Sequence, residues 1–76
     1  MIIEIYGKDQ CMYCQNAKEL CSTLGMEYKY YNLTEDLTLK DELINRMGQT
    51  PRTVPQIFID NKFVGGFKEF YQTMKG

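Results

Sequence analysis

The chain reads as an α/β protein, a four-stranded mixed sheet with helices on both faces. Three observations predict this class. Runs rich in β-branched and aromatic residues occur at 2–6, 27–33 and 56–60. Apolar residues at helical spacing fill the two intervals between those runs. A last short run, Phe63-Val64, follows a two-residue turn and precedes one more helical stretch.

Taken in order, Ile2 to Tyr6 is a strand closed by Gly7. From Tyr13 to Leu24, the residues Cys14, Ala17, Leu20, Cys21 and Leu24 fall on one helical stripe, and Gly25 ends it. Glu27 to Leu33 carries Tyr28, Tyr30 and Tyr31, which alternate across a second strand as sheet packing. Thr34 or Thr38 is expected to cap the next helix, whose buried stripe is Leu39, Leu43, Ile44 and Met47, stopped by Gly48. Gln49 to Pro55 holds both prolines and is a loop. Gln56 to Asp60 is a third strand, Asn61-Lys62 a turn, and Phe63-Val64 a fourth strand. Gly65-Gly66 breaks the chain before a helix from Phe67 to about Lys75, which Gly76 cuts short. The order β-α-β-α-β-β-α makes the first two strands parallel through a right-handed crossover. The last two form an antiparallel hairpin. This is the thioredoxin-like arrangement.

At 76 residues there is room for one domain, 1–76, with an economical core. A hydrophobic share of 43% suits a compact globule and excludes a disordered tail. The net charge of −1, with both signs interspersed, argues against electrostatic capture of nucleic acid or membrane. Met-Ile-Ile-Glu-Ile-Tyr breaks its apolar run at Glu4 and lacks a basic start, so it is not read as a signal peptide. No apolar stretch approaches the ~20 residues that span a bilayer. Three cysteines are too few for a disulfide scaffold, and a CxxC beside a βαβ pattern suits a cytosolic redox pair. A cytoplasmic monomer is therefore expected.

Cys11-Met12-Tyr13-Cys14 carries the chemistry. Cysteines at i and i+3 share the first turn of a helix, with Cβ atoms roughly 5–6 Å apart, close to disulfide range. The first of them sits where unpaired N–H groups and about half a positive charge gather, a field that favours the reactive thiolate. Lys8 and Lys18 are nearby candidates to reinforce it. The competing reading, half of a zinc site, fails for want of ligands: the chain has no histidine and only one further cysteine. No metal is expected. Cys21 lies seven residues after Cys14, about 10.5 Å along the helix, too far for a disulfide, and reads as a buried structural thiol. Tyr13 can shape the groove beside Cys11 or simply pack, and spacing alone leaves Pro55 open between cis and trans.

Four segments in order resemble the glutaredoxin family: Cys11-Met12-Tyr13-Cys14, Thr53-Val54-Pro55, Gln56-Ile57-Phe58-Ile59-Asp60, and Gly65-Gly66-Phe67-Lys68-Glu69. The likeness covers nearly the whole chain. It departs at Met12, where dithiol members most often have proline. The resemblance implies a glutathione-dependent thiol–disulfide oxidoreductase with glutathione as co-substrate and no tightly bound cofactor. It implies Cys11 as nucleophile, Cys14 as resolving thiol, and a cis peptide before Pro55 that turns the Val54 backbone towards Cys11. It further implies a glutathione groove of Tyr13, Thr53, Val54, Pro55, Gly66, Phe67, Lys68 and Glu69. Backbone N–H groups near Lys68 and the Glu69 carboxylate would hold the γ-glutamyl end, and Lys8 and Arg52 are candidates for the glycine carboxylate. Expected partners are glutathione and disulfide-containing proteins, ribonucleotide reductase among them. Two rivals are a redoxin reduced by thioredoxin reductase and a glutathione-ligated iron–sulfur carrier, the latter kept open by Met12.

Overall fold

The computed structural model describes residues 1–75, so Gly76, the expected end of the last helix, lies outside the described residues. Seven elements follow in the expected order: β1 (Ile3–Gly7), α1 (Met12–Thr23), β2 (Tyr28–Asn32), α2 (Thr38–Met47), β3 (Gln56–Ile59), β4 (Lys62–Gly65) and α3 (Phe67–Lys75). The sheet order is β2-β1-β3-β4. β1 pairs parallel with β2 and antiparallel with β3, and β3 pairs antiparallel with β4. The fold is thioredoxin-like. No helix among the described residues is long and apolar enough to cross a membrane.

Alternation along β1 and β3 sends side chains to opposite faces, and each face collects its own core. Ile3, Ile5 and Ile57 meet Ala17 and Cys21 of α1 and Phe70 of α3 on one face. Tyr6 and Phe58 meet Leu43 of α2 on the other. Tyr28 and Tyr30 pack on the first face and Tyr31 on the second, so the three tyrosines of β2 are sheet packing as expected.

Two local expectations need correction. Neither threonine caps α2: its N-cap position is Leu37, which makes no side-chain cap bond. Instead Asp36 Oδ1 accepts from the Thr38 N–H at 3.0 Å and the Thr38 hydroxyl at 2.6 Å. A carboxylate reaches the helix start from one residue before the N-cap position. These two bonds also hold the Asp36 carboxyl below its usual range. The hairpin turn is Asp60-Asn61, not Asn61-Lys62, with φ of 51° and 68° at the two residues. Asp and Asn tolerate the left-handed region that a two-residue hairpin turn demands, which Lys62 does not.

Candidate active site

β1 ends at Gly7, and the chain turns through Lys8–Gln10 into α1, so Cys11 arrives at the helix N-cap. Its backbone is extended, with φ −124° and ψ 110°, and its Sγ accepts from the Cys14 N–H at 3.2 Å. Sulfur thus occupies the place where a serine or aspartate oxygen would cap a helix. Cys11 and Cys14 are joined as a disulfide, Cα to Cα 5.2 Å. Cys11 is part-exposed, whereas Cys14 is fully buried against the sheet. A Cβ at Gly7 would come within 2.9 Å of Cys14 Sγ and collide with the Tyr30 hydroxyl. Glycine at the end of β1 is therefore what lets the dithiol sit against the strand.

Opposite the sulfur, Val54-Pro55 is cis, and the Val54 carbonyl oxygen lies 3.8 Å from Cys11 Sγ. Gln56, buried at the start of β3, donates its amide to the Thr53 carbonyl at 2.7 Å and so fixes the loop from behind. At the third corner, the Gly66 carbonyl accepts from the Phe70 N–H, and the Gly66 N–H donates to Glu69 Oε1 at 2.8 Å. Glu69 is thus a helix-start acid that already uses one oxygen on its own cap. Gly65 has φ 126°, and a Cβ there would sit 3.0 Å from Glu69 Oε1, so only glycine leaves that carboxylate its place.

These three corners enclose a groove of about 370 Å³ lined by Tyr13, Thr53, Val54, Pro55, Gly66, Phe67, Lys68 and Glu69. Tyr13 stacks on Phe67 at 6.0 Å between ring centroids, so it forms a wall of the groove and is no isolated surface aromatic. Lys8 and Arg52 lie instead in a second groove of about 370 Å³, which shares Thr53 and Val54 with the first. The candidate residues therefore gather along one continuous path past Cys11. Lys18 lies apart from that path, with its ammonium 4.3 Å over the ring of Tyr30. Cys21 is fully buried, and burial pushes its thiol pKa up, away from reactivity.

The model of the glutaredoxin family matches residues 3–64. The chain belongs to the glutaredoxin family. Glutaredoxin 3 of Escherichia coli strain K12 is 41% identical over 69 residues, covering 91% of this chain and 81% of that protein. The structure of reduced Escherichia coli glutaredoxin aligns with a TM-score of 0.84 at 32% identity, over 99% of this chain and 94% of that one. A buckwheat glutaredoxin–glutathione complex aligns with a TM-score of 0.80 at 29% identity, over 96% of this chain and 67% of that one. As a member of this family with a Cys11–Cys14 pair, the chain is a thiol–disulfide oxidoreductase.

Sequence reading missed the remainder of the second groove: Leu33, Thr34, Leu37, Lys40 and Pro51. Leu37 was the available signal, a large apolar residue outside every periodic stripe, and it is 77% exposed. It missed a second cluster as well. Arg46 pairs with Glu4 at 3.0 Å and donates to the Tyr6 hydroxyl at 2.8 Å. No local pattern signals contacts between residues 42 and 40 positions apart.

Proposed function

We propose that this enzyme reduces protein disulfides and glutathione-mixed disulfides with glutathione as its electron donor. The observation that carries the reading is the Cys11 sulfur at the helix N-cap, beside a groove that ends at the N-terminus of α3. Cys11 attacks as thiolate. The Cys14 N–H points at its sulfur, and the unpaired amides of the helix start stabilise negative charge there. In the two-cysteine route, Cys11 attacks one sulfur of a protein disulfide and expels the other as a thiolate. Cys14 then attacks Cys11 Sγ and releases the reduced protein, leaving the Cys11–Cys14 disulfide. Two glutathiones restore the dithiol and leave as glutathione disulfide. In the one-cysteine route, Cys11 takes the glutathionyl group and passes it to a second glutathione.

Glutathione is assigned across the groove with its cysteine beside Cys11. Val54 N–H and C=O pair with its backbone, as an added strand pairs with a sheet edge. The first-turn amides of α3 at Phe67 and Lys68 hold the γ-glutamyl carboxylate. Glu69 takes the ammonium with the oxygen its cap bond leaves over. Tyr13 flanks the sulfur, and Lys8 and Arg52 take the glycine carboxylate. The glutathione in the buckwheat complex supports this choice of ligand. The same reading has the enzyme act as a cytoplasmic monomer on disulfide-containing proteins, ribonucleotide reductase being one such acceptor.

The test uses three variants. Cys11→Ser should abolish exchange, while Cys14→Ser should keep turnover of glutathione-mixed disulfides and lose reduction of protein disulfides. Glu69→Gln keeps an oxygen for the Gly66 cap but removes the charge. One charge-assisted hydrogen bond is worth about 1.5–3 kcal/mol, so glutathione use should weaken roughly ten- to a hundredfold. Reaction with a small neutral disulfide should be unchanged. An active Cys11→Ser, or a Glu69→Gln enzyme with normal glutathione kinetics, contradicts the assignment.

A further inference from the structure

We infer that the second groove is a docking channel for the stretch of a protein substrate that follows its reactive cysteine, and that it selects acidic residues there. The inference rests on the proposed glutathione orientation, which points the chain beyond the substrate cysteine towards Lys8 and Arg52. Glutathione ends there, at its glycine carboxylate. A polypeptide does not end there, and the groove offers more than those two cations. Leu33, Leu37 and Pro51 give it an apolar lining beside Thr53 and Val54, and Lys40 supplies a third cation. Leu37 is 77% exposed, an apolar surface that the described residues leave uncovered.

Charge decides the kind of occupant. Lys8, Lys40 and Arg52 all line the channel, no carboxylate lines it, and none of the three forms a salt bridge among the described residues. Four acids adjoin the lining in sequence, Asp9, Glu35, Asp36 and Asp41, and none of them lines the channel. Asp9 Oδ1 accepts from Asn32 at 2.7 Å, and Asp36 Oδ1 accepts from Thr38. The walls are also fixed in advance. The Asp9 N–H donates to Thr34 Oγ1, the Thr34 N–H to Asn32 Oδ1, and the Tyr30 hydroxyl to the Lys8 carbonyl. A channel with preset walls, an apolar floor and three cations fits an extended segment carrying a leucine-like residue and one or two carboxylates.

An exchange equilibrium tests this directly in a Cys14→Ser chain, where mixed disulfides on Cys11 cannot resolve. A peptide thiolate attacks Cys11 Sγ of the glutathionylated chain. The bond to the peptide sulfur forms, the bond to the glutathione sulfur breaks, and glutathione leaves as a thiolate that takes up a proton. No net oxidation occurs. Two synthetic nine-residue peptides serve as probes, identical except that leucine and two glutamates, or leucine and two lysines, follow the single cysteine. Mass spectrometry of the equilibrated mixture reads the preference. At low salt the acidic peptide should be held about tenfold better than the basic one, and 0.5 M salt should shrink the ratio. Lys40→Glu should reduce the ratio to threefold or less while leaving the competition between glutathione and 2-mercaptoethanol unchanged. Equal retention of the two peptides, or a ratio indifferent to Lys40→Glu, overturns the inference. Failure of the underlying glutathione reading would look different: glutathione would hold Cys11 no better than 2-mercaptoethanol, whatever the peptides do.

Discussion

The two faces of the sheet are held by different physics. On the face covered by α1 and α3, Ile3, Ile5, Ile57, Ala17, Cys21 and Phe70 form a core of apolar side chains alone. On the face covered by α2, the core is Tyr6, Phe58 and Leu43, and a polar cluster lies over it. Arg46 pairs with Glu4 through both terminal guanidinium nitrogens, donates to the Tyr6 hydroxyl, and lies 4.0 Å above the ring of Phe58. The Tyr31 hydroxyl donates to Glu4, and the Tyr6 hydroxyl to Glu42. The difference follows function. Cys11 caps α1 and Glu69 lies in the first turn of α3, so the helices that carry the site rest on directionless packing. α2 contributes Lys40 to the second groove and is anchored by a few directional bonds that can be removed one at a time.

The largest effect should come from the apolar face. Phe70→Ala empties a fully buried site between α3 and the sheet, and should cost about 3–5 kcal/mol in chemical denaturation. Because α3 carries one wall of the groove proposed to hold glutathione, glutathione use should fall as well. A variant that loses stability but keeps normal glutathione kinetics would break the link between this core and the site.

Arg46→Ala comes next. It leaves Glu4 largely buried without its cation, but both side chains keep some solvent, 21% and 13%, which tempers the penalty. A loss of about 2–3 kcal/mol is expected, below the range for a fully buried pair. Exchange with a small neutral disulfide should survive, since α1 is not touched. If that exchange collapsed instead, the two faces would not be separable.

A smaller effect should appear in acid. The Arg46 hydrogen bond holds the Glu4 carboxyl below its ordinary value of 4.5, so the folded state binds that proton less readily than the unfolded chain. The resulting stability is complete above about 4.5 and is lost as pH falls through the lower folded value. Denaturation midpoints compared at pH 7 and pH 3 should fall less in Glu4→Gln than in the native sequence. An equal fall would remove Glu4 from the account.

Much of this could be read from the residues, and what could not has a common cause. β1, α1 and α3 were legible because alternation and the 3.6-residue period are local signals, and Gly25 and Gly48 stand where the first two helices end. The segments of the first groove were legible because CxYC, TVP and GG follow one another in a recognisable order. The start of α2 was misassigned because Asp36 acts across two residues from outside the helix, in place of a capping threonine. The Glu4–Arg46 bridge and the channel under Lys40 depend on residues far apart in the chain, and only the packed sheet brings them together. Glu4 looked like a mere interruption of an apolar strand. It is the acid that anchors α2.

The electron source tests the central claim most directly. The enzyme is supplied with NADPH and either glutathione with glutathione reductase or thioredoxin reductase alone, and asked to reduce a glutathione-mixed disulfide. The groove from Tyr13 to Glu69 calls for turnover with the first supply and background rates with the second. Turnover with thioredoxin reductase alone and none with glutathione would mean that the groove does not hold the donor, and would contradict the account.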